Sequence, residues 1–320
     1  MQGVTPAEAP GRAAQLEALF RAQRKRLWGL AYRLTANAED AEDAVQEAFA
    51  RLAAHPPDAP PHELGRWLAR VVTNLGIDAL RRRKRRAYDG PWLPQPVETP
   101  EDDALAARAG AGADPEARYG LAESASYAFL LALEALTPRQ RAALLLRDVL
   151  GHTGAETAAL LGTTEGNVRI LHLRARRALA PYDEARCIPT PALRERHRAA
   201  LARFLDCLLA QDARGLEALL TDSVETVTDA AGEYTALATP LAGRARVARL
   251  YLTAAQHRAA GGTRQEIRLV NGLPAALITL LAPVRRQAPR SLLRCELDEA
   301  GRIRLVHAIL APRKLAVLRP

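Results

Sequence analysis

A basic segment from Glu156 to Leu179 carries the residue types and the spacing that recognise DNA. Apolar residues recur there at steps of three and four, so one side of a helix is expected to pack against the protein. An Arg in the major groove can pair with guanine or grip phosphates, and an Asn such as Asn167 can read adenine. The side opposite the apolar stripe largely carries four basic side chains, Arg169, His172, Arg176 and Arg177.

A turn signal divides this segment into two short helices. Gly162 suits the left-handed position that ends the first helix. Thr163 or Thr164 can cap the second helix, and Glu165 complements its dipole. The pattern predicts a helix-turn-helix, although a basic helical face can also be no more than a solvated surface.

A second basic segment runs from Arg66 to Arg86. It contains eight basic residues and one acid, Asp78, which gives it a local charge of +7. An apolar stripe at helical spacing leads directly into the basic run. Such a charge is typical of a surface that binds nucleic-acid phosphates. A nuclear-localisation tract or a membrane patch can look similar, but neither predicts a packed helix in front of it.

An acidic helix is predicted after Asn37, which can cap it. Acids at the start of a helix complement its dipole. Asp43 and Glu47 share one face and repel each other unless a basic partner lies opposite, which favours a docking surface. General acid or base catalysis is not needed, since no His or metal-ligand set lies nearby. The acids of the first turns are Glu39, Asp40, Glu42, Asp43 and Glu47.

Composition bounds the class of protein. The 320 residues suffice for two or three domains, and 48% hydrophobic content with only 4% aromatic residues favours helices. A net charge of +9 favours a polyanionic partner. Cys187, Cys207 and Cys295 have no zinc spacing, so we expect reduced thiols, no metal site and no cofactor. Neither a signal peptide nor a membrane-spanning run is visible, and we expect a cytoplasmic protein.

Between the two basic segments, the stretch from Tyr88 to about Asp114 is typical of a linker. Its apolar insertion, Trp92 and Leu93, is too costly to leave in water and predicts a contact with a surface. Two helices, Leu121 to Leu136 and Thr137 to Leu150, are predicted next, with Thr137 as a cap followed by Pro138.

The last third of the chain changes character. Helical patterns up to Leu220 give way to strands, and Asn271-Gly272 is a hairpin turn signal. Helices followed by a meandering sheet predict an α+β domain. The strand candidates are Val224 to Thr228, Glu266 to Val270, Ala275 to Leu281, Ser291 to Leu297 and Ile303 to Leu310.

These stretches resemble one known family: the extracytoplasmic-function (ECF) sigma-70 factors that carry a C-terminal SnoaL-like (NTF2-like) domain. Residues 31–52 and 66–86 look like the second sigma region, and residues 133–179 look like the fourth. Three further short motifs resemble signatures of this subgroup: GPWLPQP at 90–96, VNGLPA at 270–275 and APRKLAVL at 311–318.

The resemblance implies a multidomain fold in which two all-α sigma domains precede an α+β SnoaL/NTF2-like cone-shaped domain. Region 2 would be a helical bundle over 12–90, and a linker would follow over 91–120. Region 4 would be the helix-turn-helix domain over 121–184, and the SnoaL-like domain would span 193–320.

The resemblance also implies the partners: core RNA polymerase and promoter DNA, with no membrane. The helix-turn-helix would read the minus-thirty-five element through Thr164, Glu165, Asn167, Arg169, His172 and Arg176. The basic helix would contact the minus-ten element through Asn74, Asp78, Arg81 and Arg82. The acidic helix would dock on the polymerase through Asp40, Asp43, Gln46 and Glu47.

The resemblance further implies a regulatory role for the last domain, as a fused substitute for a separate anti-sigma factor. An intramolecular contact between this domain and the sigma domains would carry the regulation. Where the subgroup tends to carry Asp-Gly-Gly-Gly-Lys and Asn-Pro-Asp-Lys-Leu, this chain has Asp229 to Glu233 (DAAGE) and Ala311 to Leu315 (APRKL). The residues expected to regulate are Trp92, Leu93, Asp229, Glu233, Pro312, Lys314 and Leu315.

Two other functions remain open at this point. A SnoaL-type enzyme with a DNA-binding anchor would need an acid or base in its pocket, and Asp222, Asp229 and His307 are the candidates. A fold alone is weak evidence for chemistry, so we expect no enzyme. A ligand-sensing helix-turn-helix regulator would explain the DNA-binding segment and the pocket domain, but not the acidic helix or the basic helix that ends at Arg86.

Overall fold

The computed structural model describes residues 9–58, 60, 63–86, 88–99, 119–259, 261–282 and 286–319. These residues form two compact units. The first unit comprises residues 9–85, 119 and 132–184, and the second comprises residues 86, 88–99, 120–131 and 185–319. The part of the expected linker from 100 to 118 lies outside the described residues.

Three long helices begin the first unit: α1 (Ala9–Thr35), α2 (Ala38–Ala54) and α3 (Leu64–Arg85). Asn37 caps α2 as predicted, because its side chain accepts a hydrogen bond from the Asp40 amide at 2.9 Å. α1 and α3 approach closely where α3 has Gly76: a Cβ there would lie 2.5 Å from Leu34 Cδ2. The close approach buries the apolar stripes of all three helices.

The rest of the first unit is also helical, and it contains the predicted helix-turn-helix. Capping boxes at Thr137 and Thr153 begin two of its helices, and Gly162 ends one of them in the left-handed conformation at φ 58°. The elements are a 3₁₀ turn (Leu133–Ala135), α6 (Pro138–Leu144), a π-helical turn (Leu145–Val149), α7 (Gly154–Leu161), α8 (Glu165–Ala178) and α9 (Ala180–Glu184).

The helix predicted from Leu121 to Leu136 is interrupted, and this prediction was wrong in its continuity. Two short helices, α4 (Leu121–Ser124) and α5 (Tyr127–Ala132), take its place. The Ser126 hydroxyl accepts a hydrogen bond from the Phe129 amide at 3.3 Å, so Ser126 caps a new helix start. Ser side chains compete in this way with the regular helical hydrogen bonds.

The second unit is built on a six-stranded sheet in the order β2-β1-β6-β5-β4-β3. β3 to β6 form the predicted meander, and Asn271 and Gly272 make the β3–β4 turn at φ 49° and 81°. β1 departs from the meander because it pairs with β6 in parallel. The strands are β1 (Leu220–Asp229), β2 (Leu241–Ala242), β3 (Thr263–Val270), β4 (Leu273–Leu280), β5 (Arg290–Leu297) and β6 (Ile303–Ile309).

Both faces of this sheet are covered, so nearly every residue of β4 is buried. On one face, the sheet packs with three helices around a core that includes Phe204, Val247 and Leu293. A second core on the sheet includes Leu93, Tyr127 and Ile309. The helices are α10 (Pro191–Ala210), α11 (Ala213–Leu219), α12 (Arg244–Ala259) and, after β6, the short α13 (Pro312–Leu315).

Within the described residues, no helix is long and apolar enough to span a membrane. The same part of the chain holds no group of three or more His, Cys, Asp or Glu side chains that could bind a metal ion.

Candidate nucleic-acid interface and linker-docking site

Helix α8 presents a basic and apolar surface to solvent. Val168 and Ala175 face the core, whereas Arg169 is exposed. Ile170 and Leu173 are also half-exposed, at 49% and 50%. A helix surface that combines cations with apolar groups can grip phosphates and contact thymine methyl groups.

Two predicted DNA contacts on α8 lie on its flank instead of its exposed face. His172 is half-buried, and its Nε2 lies 2.7 Å from Asp148 Oδ1. Arg176 is half-buried one turn further along. The sequence placed the basic residues largely opposite the packing side, but these two lie beside it, because His172 follows the buried Val168 by four residues and Arg176 follows the buried Ala175 by one.

The start of α8 uses two other predicted contacts for its own geometry. The Thr164 hydroxyl accepts a hydrogen bond from the Asn167 amide at 3.3 Å and so caps the helix. The Asn167 side chain donates to Thr163 Oγ1 at 2.8 Å. Glu165 is exposed in the first turn. Arg174, which the sequence analysis did not name, is exposed, and its helical spacing of three residues from the exposed Arg177 is the signal that could have found it.

The four residues expected to contact the minus-ten element form one exposed stripe on α3. Asn74, Asp78, Arg81 and Arg82 recur at steps of four, three and one, and all four are exposed. Arg81 donates to Asp78 Oδ1 at 3.0 Å. The pair is solvated, so it contributes little to stability and can exchange partners cheaply.

Three of the four residues expected to dock on the polymerase share an exposed face of α2. Asp43, Gln46 and Glu47 are exposed, whereas Asp40 is half-buried next to the Asn37 cap. Glu47 pairs with Arg51 at 2.7 Å across one helical turn. Both partners of this pair are about half-exposed, so the Glu47 carboxylate remains accessible on the acidic face.

The buried guanidinium of Arg141 connects α1 with the 3₁₀ turn that begins at Leu133. Arg141 is 1% exposed and donates to the carbonyl oxygens of Leu34 at 3.0 Å and Leu133 at 3.1 Å. Glu134 accepts hydrogen bonds from Arg141 at 2.6 Å and from Arg83 at 2.5 Å. Burial lowers the pKa of Arg141, and the neighbouring Glu134 opposes that shift. Arg83 of the basic run is therefore engaged within the unit.

The predicted regulatory residues converge in the second unit on the carboxylate of Asp229, which is fully buried. Lys314 Nζ lies 2.5 Å from Asp229 Oδ2, and its side chain is 7% exposed. Two linker groups also donate to this carboxylate: the Tyr88 hydroxyl at 2.5 Å and the Leu93 amide at 2.8 Å. The Ala231 amide lies 3.3 Å from Asp229 Oδ1. A buried charge is tolerated only when it is paired and hydrogen-bonded in this way.

Lys314 completes the same cluster from the other side. Its ammonium donates to the Leu93 carbonyl oxygen and lies 4.4 Å from the centroid of the Trp92 ring. The Tyr88 ring lies 5.0 Å away. Leu93 is 2% exposed and packs among apolar residues of the sheet and against Leu315 of α13. The aromatic and apolar insertion of the linker thus contacts a cation and a core, which is how a cation–π pair gains most.

The linker beyond Trp92 pairs with the sheet through its backbone. Val97 and Asn271 exchange hydrogen bonds at 2.9 and 3.1 Å, and Thr99 N donates to Leu269 O at 2.9 Å. Glu98 forms an isolated antiparallel bridge with Val270 and an ion pair with Arg268 at 2.8 Å. An extended segment is therefore added to the edge strand of the sheet.

Two more of the predicted regulatory residues have different surroundings. Glu233 is exposed in the turn that follows Asp229, and its amide donates to Ala230 O at 2.9 Å. Pro312 is half-buried at the first position of α13 and supports the helix start that carries Lys314. The structure brings Trp92, Leu93, Asp229, Lys314 and Leu315 together, but Glu233 makes no hydrogen bond or ion pair with the described residues of the linker.

The second unit holds an apolar cavity between α10, α12 and the sheet, and none of the three candidate acids or bases of an enzyme lines it. Asp222 is 87% exposed and pairs with Arg244 at 2.6 Å. Asp229 is occupied by the linker. His307 accepts a hydrogen bond from Arg294 at 3.2 Å, and burial, followed by the charges of Arg294 and Arg304, holds its pKa well below the usual range. These positions do not form a catalytic acid or base in that cavity.

Comparison with known proteins bears directly on this arrangement. The chain matches the family model Sigma-70 region 2 over residues 19–86 and the model Sigma-70, region 4 over residues 126–179. It is 36% identical over 279 residues to the ECF RNA polymerase sigma factor SigJ of Mycobacterium tuberculosis, covering 85% of this chain and 84% of that protein. It is 30% identical over 304 residues to the probable ECF RNA polymerase sigma factor SigI of the same organism, with 95% and 96% covered.

The structural comparison extends the similarity through the last domain. The crystal structure of the Mycobacterium tuberculosis extracytoplasmic function sigma factor SigJ aligns with a TM-score of 0.68 at 30% identity. The alignment covers 94% of this chain and 98% of that one. The helical sigma regions are followed by a sheet domain of the SnoaL/NTF2-like class. The chain therefore belongs to the ECF group of sigma-70 family RNA polymerase sigma factors.

Proposed function

We propose that this sigma factor is regulated by its own SnoaL-like domain, which holds the linker between the two sigma regions. The observation that carries the proposal is the cluster around Asp229. In it, the Leu93 amide, the Leu93 carbonyl and the Tyr88 hydroxyl are all bound by Asp229 or Lys314. This contact would take the place of a separate anti-sigma factor.

The regulation follows from competition for the linker. Residues 88–99 already use backbone and side-chain groups to bind the sheet domain. The same groups cannot bind the polymerase at the same time, so docking of the linker on the SnoaL-like domain opposes its use elsewhere. A molecule with two alternative partners for one segment is a two-state switch whose balance follows their relative affinities.

For promoter recognition, we propose that α8 lies in the major groove at the minus-thirty-five element. Arg169 and the newly found Arg174 would contact DNA from its exposed face, and Thr164, Glu165 and Asn167 from its start. His172 and Arg176 would act from the flank, where contacts to the phosphates are closer than base edges. Support comes from the exposure pattern of α8 and from the match to region 4.

For the minus-ten element and the polymerase, we propose the two faces on α3 and α2. The stripe formed by Asn74, Asp78, Arg81 and Arg82 would contact the promoter. The acidic face of α2, with Asp43, Gln46 and Glu47 and with Asp40 at its edge, would dock on a basic surface of core RNA polymerase. Promoter-specific transcription initiation requires both partners, and no catalytic residue of the chain's own is proposed.

Run-off transcription with core RNA polymerase tests the regulatory proposal. The full chain is compared with versions that end after Pro189, which lack the sheet domain, and after Leu310, which lack Lys314. We expect polymerase binding by all three and a change in promoter-specific transcript yield on each truncation. Equal yields from all three would contradict regulation by the SnoaL-like domain. A chain that binds promoter DNA but never polymerase would favour a ligand-sensing regulator instead.

A further inference from the structure

A cavity of about 440 Å³ lies within the second unit, between α10, α12 and the sheet. Its walls are mainly apolar, with Leu208, Leu250, Ile278 and Leu293 among them. This volume lies within the range of small-molecule sites, which are typically about 300–1,000 Å³ and mostly apolar. The cavity is separate from the place where the linker binds. Asp229, which binds the linker, and His307 do not line the cavity, although their neighbours Thr228 and Ala308 do.

Among the described residues that line this cavity, one is cationic, Arg258. Arg258 Nη1 donates to Ser291 Oγ at 2.7 Å, and both residues belong to the lining. Among the described lining residues none is acidic, and no ion pair of Arg258 is found in the described part of the chain. Burial lowers the pKa of Arg258, which is the response of a guanidinium in an apolar place without a carboxylate.

The other polar lining groups are neutral, and two of them, Tyr251 and Gln211, already have hydrogen-bond partners. The buried Tyr251 hydroxyl pairs with Thr226 at 2.7 Å. Gln265 and Thr228 add neutral hydrogen-bonding groups to the wall. The electrostatic character of the cavity is therefore set by Arg258.

We infer that this cavity binds an apolar monocarboxylate, with its carboxylate on Arg258 and Ser291 and its hydrocarbon body against the leucines and Ile278. A guanidinium matches a carboxylate with two parallel hydrogen bonds, which is a strong and directional pairing. A neutral hydrocarbon would leave the guanidinium without an anion. A cationic amphiphile would meet a like charge, and a dianion would find a single cation.

Calorimetric titration of the full chain with decanoate tests the inference, with decanol and decyltrimethylammonium as probes of the same length. We expect saturable binding of decanoate, weaker binding of decanol and no binding of the cation. Arg258→Gln should weaken decanoate binding about tenfold or more, since it removes a charge-assisted pair. It should leave decanol binding unchanged. Arg249→Gln, on the exposed side of the same helix, is the matched control and should change neither.

A second variant separates the cavity from the rest of the surface. Ala254→Phe places a ring in the cavity and should abolish binding of decanoate and decanol while the circular dichroism spectrum stays unchanged. The inference is overturned if the full chain does not bind decanoate at millimolar concentration. It is equally overturned if Arg258→Gln binds decanoate as well as the parent chain does, or if Ala254→Phe binds it undiminished.

Discussion

Each of the two compact units holds a buried charge, but the two charges are compensated in different ways. In the first unit, Arg141 donates to backbone carbonyls and shares Glu134 with Arg83, and the Glu134 side chain remains 28% exposed. In the second unit, Asp229 is fully buried, and its partner Lys314 is 7% exposed. Water therefore reaches the carboxylate of Glu134, whereas the carboxylate of Asp229 is shielded from it.

Of the two networks, the one around Asp229 is suited to bind a segment of the chain, the linker, reversibly. Carbonyl oxygens of the helices always surround Arg141, so its network stabilises the fold of the first unit. The partners of Asp229 come from two distant parts of the chain, the linker and α13, and both must be in place together. Loss of any one leaves a buried charge underpaired, which makes this contact cooperative.

The largest effect is expected from Lys314→Met, which leaves the Asp229 carboxylate buried without its cation. The free energy of unfolding of the second unit should fall by about 3–5 kcal/mol, the usual cost of breaking a buried pair. Urea unfolding followed by Trp92 fluorescence measures it, in a background with Trp28→Phe and Trp67→Phe, since the chain has three Trp residues. Arg313→Met, exposed on the same helix, is the control. A loss below about 1 kcal/mol would remove the distinction between the two networks.

A smaller effect is expected from Glu134→Gln in the first unit. The amide keeps one acceptor for the two guanidiniums but removes the charge, and the carbonyls of Leu34 and Leu133 remain. We expect a loss of about 1–3 kcal/mol in urea unfolding followed by circular dichroism. Glu17→Gln, in an exposed pair with Arg21, should cost nothing measurable. A loss as large as that of Lys314→Met would show that exposure does not separate the networks.

Acid should weaken the second unit through His197, which is 4% exposed, and whose pKa is lowered to about 4, chiefly by burial and then by nearby Arg294 and Arg196. The unfolded chain binds a proton near pH 6.5 and the folded chain does not, so stability is full above pH 6.5 and falls towards pH 4. Between pH 7 and pH 5, protonation of His197 in the unfolded chain should lower the free energy of unfolding by about 2 kcal/mol. His197→Leu should lose that much less than the parent chain on this acid shift, in urea unfolding at both pH values. An identical pH dependence would exclude His197 as the cause.

The smallest effect is expected from Trp92→Leu, which keeps an apolar side chain but removes the ring beside Lys314. The cation–π contact should account for about 1 kcal/mol. Hydrogen exchange of the Leu93 amide, which donates to Asp229, reports the change as roughly fivefold faster opening. Val317→Ala, at an exposed position just after α13, should leave the exchange rate of the Leu93 amide unaltered. Exchange that is not accelerated by Trp92→Leu would remove the ring from the docking contact.

Much of the fold could be predicted from local signals. Asn37, Thr137 and Gly162 each mark a helix end where the structure has one, because capping is a local interaction. The Asn271-Gly272 turn was predictable for the same reason, because Asn and Gly tolerate the positive φ angles that the turn requires. The parallel pairing of β1 with β6 could not be predicted, since it joins residues about 80 apart in the chain. Helix α12 was missed because only a narrow stripe of it is buried.

The candidate sites were predictable only where exposure follows the helical period. The stripe from Asn74 to Arg82 is exposed as its spacing indicates. The partner of His172 was not predictable, because Asp148 comes from a preceding turn whose π-helical geometry has no local signal. The resemblance placed Asp229 and Lys314 in two regulatory words, but the ion pair between them emerges only from tertiary packing.

In the proposed regulation, docking of the linker on the SnoaL-like domain opposes its use in transcription. Run-off transcription with core RNA polymerase tests it most directly when the full chain is compared with Asp229→Asn, using Asp222→Asn as the exposed control. Asp229→Asn loses the charge that Lys314 pairs with, so we expect a higher transcript yield, while polymerase binding persists and the control matches the parent chain. An unchanged or lower yield from Asp229→Asn, with the protein folded and bound to polymerase, would contradict the account.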